Sequence, residues 1–548
     1  MKGTTPARLL ARLERIHRTF GVRSGSEKRG LVKRLRRVRL DSAARILRFH
    51  EILCFLRAYP DDAPLLAEVE RALAGFERRA DLALFHDALA DSGIAGTPIR
   101  YRFFWPMARW LASRWAGRLH FDREEADEYE PRLRTALLAV SPSVEAEAVK
   151  RSEAQTFEML DRLRGRATDA AWFLRRIESL PGGPFVWEAI HDAVDAAYVL
   201  EPGRGRPSRT LARHEGAPIV FRAAPLDRSR PVLAREIARP PAEVRAASRA
   251  EGERLVDLAR EAMVTRSRDL DAFTWGNPKD VVLVDDGGGL SFAMIGILPE
   301  RRLPLPAVHG WLTLRNGVPI GYVQSDTLLG STEIAFNTFE TFRGGEAAQV
   351  FGRVLAVARH VLGARSFSIE PYQLGKGNAE GIASGAWWFY FKLGFRPKDA
   401  AVKRVLRGEL ARMKRRPAYR SGPATLERLA AAHLYWEPDP GVPGLLPLVP
   451  ALGLRIAPAA EDAVERAAER LGLRSFRGFT PAERTAWERL APVVLALPGV
   501  ARWPARDRRA FVDVVSAKGA PREAEFPRRL DRHARGAKAL ASLLREGS

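Results

Sequence analysis

The stretch FNTFETFRGGEAAQVFGRVL, Phe336 to Leu355, decides the reading of the fold. Its first part is aromatic and β-branched, as a strand is. Its last part places Ala347, Val350, Phe351 and Val354 on one helical face. Arg343, Gly344 and Gly345 lie between, so a strand running into a helix through an Arg-Gly-Gly turn is predicted. Two glycines at a helix start let the backbone approach a ligand closely and leave N–H groups pointing outward. Those donors, the helix dipole and the Arg343 guanidinium all favour an anion.

Working outward, short apolar or β-branched runs precede this stretch: DVVLVDD, LSFAMIGIL, GWLTLRN, VPIGYVQSD and TEIAFNTFETF. DDGGG and RNG separate consecutive runs as hairpin turns do, so antiparallel strands joined in sequence are expected. Downstream come one long helix, EAAQVFGRVLAVARHVLG, then a strand, SFSIEPYQL, then the aromatic WFYFKLGFRP, Trp388 to Pro397. A basic, helical insertion leads to HLYWEP, His433 to Pro438, as a last strand.

The flanks read differently. Residues 1–40 form a basic segment and 41–199 a helical domain with apolar residues at three- and four-residue spacing. Residues 200–240, rich in Pro, Gly and Arg, read as a linker with one strand at APIVFRA. The helix SRAEGERLVDLAREAMVTR opens a central domain, 241–440, with the basic insertion at 398–432. Residues 441–548 are helical again, and TPAERTAWERLAPVVLAL starts at the Thr480 cap with Pro481 and Glu483 behind it.

At 548 residues, 46% apolar and 28% charged, the chain has the composition of a folded multidomain protein. One cysteine, Cys54, excludes an internal disulfide, and no Cys/His spacing suggests zinc, so no metal is expected. No run approaches the length of a transmembrane helix, and the first residues lack the apolar centre of a secretory signal. A cytoplasmic, reducing location is the expectation. The net charge of +23 is concentrated: residues 1–40 hold 13 basic and 2 acidic residues, and Lys398 to Arg420 hold 9 and 2. Such clustering suits an anionic partner, with nucleic acid engaged through 1–40 and 398–420 as one reading.

The order of elements, with AWWFYFKLGF at Ala386 to Phe395 and RGGEAA at Arg343 to Ala348, resembles the GNAT acyltransferase superfamily over about residues 245–440. In that family the loop cradles the pyrophosphate of coenzyme A. The resemblance implies an α+β fold with a mostly antiparallel sheet, helices on both its faces and helical regions flanking it. It implies acyl-CoA or acetyl-CoA as co-substrate and acyl transfer to an amine. The acceptor expected from the large flanks and basic clusters is macromolecular or anionic.

Three departures stand out. Glu346 replaces the family's central loop glycine, Ala383 stands where an Asn usually opens the late helix (Asn378 lies five residues upstream), and the insertion follows that helix. They leave a rival reading open, an inactive GNAT-like binding or scaffold protein whose basic segments engage nucleic acid or an acidic protein. An acidic acyl carrier in place of coenzyme A is a third.

By this resemblance Thr338, Phe339, Thr341, Phe342, Arg343, Gly344, Gly345, Ala347 and Ala348 line the cofactor, along a strand expected over Ile334 to Thr341. Tyr390 is the candidate acid for the departing thiolate, and Glu340, the acid nearest the strand end, the candidate base. Glu370, Tyr372 and Asn378 are candidate substrate contacts. His309 and His360 receive no role.

Overall fold

The computed structural model describes residues 5–141, 143–203, 205, 207–439, 441–442, 444–457 and 462–546. The chain forms two compact units, residues 1–225 with 254–275 and 315–319, and residues 226–253 with 276–314 and 320–548. The helices of 441–548 therefore belong to the same unit as the large sheet. Among the described residues no helix is long and apolar enough to cross a membrane.

In the first unit α1 (Pro6–Ile16), α2 (Val22–Leu35), α3 (Ala43–Ala58) and α4 (Ala63–Ala74) pack through Leu13, Val32, Leu35, Phe49, Leu53 and Leu65, all buried. The basic N-terminal segment is thus folded, and part of its charge is spent inside. Lys28 is fully buried and meets Asp61 at 2.6 Å, and Arg36 meets Glu68 at 3.0 Å. Three short strands, β1 (Ile99–Tyr101), β2 (Leu119–Phe121) and β3 (Tyr198–Leu200), form a small antiparallel sheet with β3 in the middle. The first part of the expected linker is built into this unit. Arg57 donates to the carbonyls of Arg209, Thr210 and Ala212, and the imidazole of His50 lies 2.8 Å from the Thr210 hydroxyl. APIVFRA forms no strand.

The second unit begins with α5 (Leu233–Ala238) and is organised by a nine-stranded mixed sheet. Its strands are β4 (Glu243–Ala246), β5 (Gly276–Gly287), β6 (Leu290–Ile297), β7 (Ala307–Arg315), β8 (Val318–Leu328), β9 (Ser331–Thr338), β10 (Ser366–Ile369), β11 (Arg396–Pro397) and β12 (Leu434–Trp436). Their order is β11-β12-β10-β9-β8-β7-β6-β5-β4. The turn between β7 and β8 has positive φ at both Asn316 and Gly317, the geometry that RNG was expected to supply.

From β4 to β9 the strands follow one another in chain order. The sequence then crosses over through α6 (Ala347–Val357) to β10, which runs parallel to β9. After β10 come α7 (Ala379–Ser384), the aromatic α8 (Ala386–Leu393), β11, the basic α9 (Ala400–Arg415) and β12, which inserts between β10 and β11.

One face of the sheet makes the main core. Phe292, Trp311, Val323, Ile334, Phe367 and Leu434 pack against Val350, Phe351 and Val354 of α6 and Trp387 and Tyr390 of α8. Each such side chain, fully buried, contributes roughly 1.5–3 kcal/mol of transfer free energy. The C-terminal helices make a second core around Trp487, Leu490, Phe511, Phe526 and Leu540, which also takes in Leu328 and Leu329. Among them α10 (Pro481–Ala496) carries the capping box read from the sequence, with Thr480 and Glu483 exchanging hydrogen bonds.

Candidate functional site

The site begins where β9 ends. The strand stops at Thr338, short of the expected Thr341, because Glu340–Phe342 form a 3-10 turn that drives Phe339 and Phe342 into the core. Gly344 follows at φ +70, a backbone conformation that a side chain with a Cβ resists. The chain then enters α6. Among the described residues the N–H groups of Gly344, Gly345, Ala347, Ala348 and Gln349 donate to no protein acceptor. Five free donors at the positive end of one helix form a cradle whose geometry suits an anion.

The cradle sits on a fixed support. Arg353, buried in α6, donates to both carboxylate oxygens of Asp286 at 2.7 Å and to the carbonyls of Glu236 and Arg239. Gly352 lets α5 come close, since a Cβ there would meet the Glu236 side chain at 3.1 Å. Arg343 is less available than the sequence suggests. Its Nε donates to the Thr338 carbonyl at 3.2 Å and its guanidinium pairs with Glu380 of α7. Glu346 is the N-cap residue of α6 and is only 8% exposed, so its carboxylate does not stand out in solvent.

Beside the cradle, the two parallel strands part. Ser331–Glu333 pair with Ser366–Ser368, and there the pairing stops. β9 continues to Thr338 on its β8 side, while β10 ends at Ile369 and the chain turns into Pro371–Leu374. The β10-facing edge of residues 334–338 therefore has no strand beside it.

On the core side of this opening lies Tyr390, 3% exposed. Its ring is 5.3 Å from that of Phe351, which in turn lies 5.4 Å from Phe336 of β9. Burial alone pushes its phenol well above the ordinary range, so it stays protonated, and its hydroxyl has no hydrogen-bond partner among the described residues. Trp387 and Phe391 stack at 5.2 Å, and the Trp388 Nε1 donates to Ser421 at 3.2 Å, so the rest of the aromatic helix is packing. Lys392 is exposed.

The opposite side of the sheet is polar, because side chains alternate between faces. Asp326 of β8, Glu333 of β9, Ser368 of β10 and Tyr435 of β12 are cross-strand neighbours in one row. His433 Nε2 lies 3.2 Å from Glu333 Oε2, and the Ser368 hydroxyl donates to the same oxygen at 3.3 Å. Glu370 returns to this face two residues beyond Ser368. Burial, then the Glu333 charge, raise its carboxyl above the usual range. Asp326 is pushed up to about 7 by burial and by Glu333 and Glu370, against a hydrogen bond from Gln324. Tyr435 is pushed up to about 12, chiefly by burial.

The expected site residues are only partly brought together. Thr338, Arg343, Gly344, Gly345, Ala347 and Ala348 surround the cradle, and Thr341 is half-buried beside it. Glu340 is exposed on its 3-10 turn, outside the polar row. Tyr372 is 54% exposed, and Asn378 caps α7, accepting from Gly381 N and donating to the Tyr372 carbonyl. Of the three candidate substrate contacts only Glu370 joins the row.

Asp326, Glu333 and His433 were missed, although the pattern held a signal. Gln324 and Asp326 alternate with Val323, Ser325 and Thr327, and Glu333 precedes apolar Ile334, as on a strand with one polar face. His309, buried on β7, is lowered to about 3 by burial and so is neutral, and His360 contacts the Ile237 carbonyl at 3.0 Å. Among the described residues no group of three or more His, Cys, Asp or Glu is placed to hold a metal ion. No family model matches the chain, and neither a curated protein nor a solved structure matches it.

Proposed function

We propose that the chain is an acyl-CoA-dependent acyltransferase of the GNAT type, acting on an amine. The observation that carries this is the opening between the parallel strands β9 and β10, which leads to the five free N–H groups at the start of α6. An extended pantetheine arm suits the unpaired strand edge, and the pyrophosphate suits the cradle. Gly344, Gly345, Ala347, Ala348 and Gln349 would hold the phosphates, with Arg343 exchanging Glu380 for them. The parted edge of β9 would hold the thioester carbonyl near backbone donors. Tyr390, buried on the core side of the opening, then donates its proton to the departing thiolate.

Thermal unfolding with acetyl-CoA and with longer acyl-CoAs tests the reading. A ligand at 100 times its dissociation constant adds about 2.7 kcal/mol of stability. No rise in Tm with any acyl-CoA would contradict it.

A second reading rests on α9. Val402, Leu406 and Glu409 turn inward, while Lys403, Arg404, Arg407 and Lys414 are exposed along the helix. That surface suits nucleic acid or an acidic protein, whose binding would weaken steeply with salt.

A further inference from the structure

The acyl transfer proposed above has a proton donor on one side of the parted strands and needs a proton acceptor, because an amine attacks only when neutral. Glu340 does not supply it, being exposed on a turn beyond the strand. Glu333 stands at the point where β9 and β10 cease to pair, on the face opposite Tyr390. Its side chain and that of His433 are 22% and 23% exposed, so both can be reached from outside.

The charges around this row do not balance. Asp326, Glu333 and Glu370 face one another, with His433 as the one basic group touching them among the described residues. Lys518 acts on Asp326, but its Nζ is taken by Glu523 at 2.8 Å and the Pro306 carbonyl at 2.7 Å. Lys398 lies over the Tyr435 ring and is taken by Glu437 at 2.6 Å. Arg396, opposite Tyr435, donates instead to the carbonyls of Phe391 and Phe395. Ser366, on the same face of β10 and fully buried, has a hydroxyl without a partner among the described residues. In a chain of net charge +23, three carboxyl groups share this half-open row without a matching cation among the described residues.

We infer that Glu333, paired with His433, is the base for the acceptor, and that the acceptor is an amine bearing further positive charge, held by Asp326 and Glu370. The inference rests on the acyltransferase reading and replaces the anionic acceptor expected from the basic flanks. The ammonium gives a proton to the Glu333–His433 pair, and its lone pair forms the C–N bond at the thioester carbonyl. As the C–S bond breaks, its electron pair stays on sulfur, which takes the Tyr390 proton. The second proton lost from nitrogen restores Tyr390 through solvent, and the base releases the first one. The net result is one amide, one thiol and one proton from an ammonium and an acyl thioester.

The test uses the full chain with acetyl-CoA, assaying transfer to spermidine, cadaverine and the anionic amine taurine. Glu333→Gln and His433→Asn should retain the acetyl-CoA-induced rise in Tm while kcat/KM for spermidine falls at least about 100-fold. Glu333→Asp should recover part of that loss. Spermidine and cadaverine should outperform taurine at least about tenfold, the discrimination that about 1.4 kcal/mol provides. Variants of wild-type activity, equal use of taurine, or acetyl-CoA binding with no amine acylated would each overturn the inference. Failure of wild-type protein to bind acetyl-CoA would instead remove the acyltransferase reading itself.

Discussion

Two clusters of ionisable side chains lie in the second unit, and they are built on opposite plans. Arg302, Asp280, Lys518 and Glu523 alternate in sign and are all nearly inaccessible, none more than 4% exposed. Arg302 pairs with Glu523 and donates to the carbonyls of Ile297, Lys518, Ala520 and Pro521. Lys518 bridges Glu523 and Pro306, and Asp280 accepts from the Glu523 N–H at 2.6 Å. That network fastens the segment around residues 518–523 to the edge of the sheet core. Asp326, Glu333, Glu370 and His433 are mostly acidic and remain half-open. A closed, sign-balanced cluster holds a fold together. A half-open, unbalanced one is available for chemistry.

The sharpest way to break this contrast is to disrupt the closed cluster. Lys518→Met leaves Glu523 short of a partner in a dry site and should cost roughly 3–5 kcal/mol in urea unfolding. A loss below about 1 kcal/mol would show that the network is not structural. Tyr390→Phe, on the other side of the opening, should keep Tm nearly unchanged while turnover falls by about 100-fold. Equal turnover would remove the acid role.

Proton linkage gives a smaller and more specific signature. The Asp326 carboxyl is raised to about 7 in the folded chain, above about 3.9 for an unfolded Asp. The native state therefore holds that proton more tightly. The resulting stabilisation is complete below about pH 4 and is lost as pH rises through 7. Between about pH 5 and 8 the wild type should lose stability relative to Asp326→Asn, measured by urea midpoints; parallel curves would contradict the placement of Asp326 in a buried acidic row. The least effect is expected on α9, where Lys403→Ala with Arg404→Ala should change stability by less than about 0.5 kcal/mol, since both are exposed.

How much of this was legible in the sequence differs by element. The strands from β5 to β9, the helix after RGG, the Thr480 cap and the last strand at Leu434–Trp436 follow local rules of periodicity and turn chemistry. The chain's division does not, because Arg57 reaching Arg209 and Thr210, or α5 docking on α6, are long-range contacts between segments of ordinary composition. The turn into α6 was readable because a Gly-Gly helix start is local. The acidic row was not, because Asp326, Glu333, Ser368 and His433 meet only once β8, β9, β10 and β12 adopt their register. Glu340 drew attention by its position near the strand end, yet a 3-10 turn places it in solvent.

By the proposal made above, the parted strands and the start of α6 hold the phosphates and thioester arm of an acyl-CoA. Calorimetric titration of coenzyme A into the wild type and into Gly344→Val tests it most directly. A β-branched residue at φ +70 distorts the cradle while leaving both cores untouched. Saturable binding by the wild type is expected, with at least about tenfold weaker binding by the variant and a Tm lowered by only a few degrees, as strain of roughly 1–3 kcal/mol gives. No binding by the wild type, or equal affinity in the two, would contradict it.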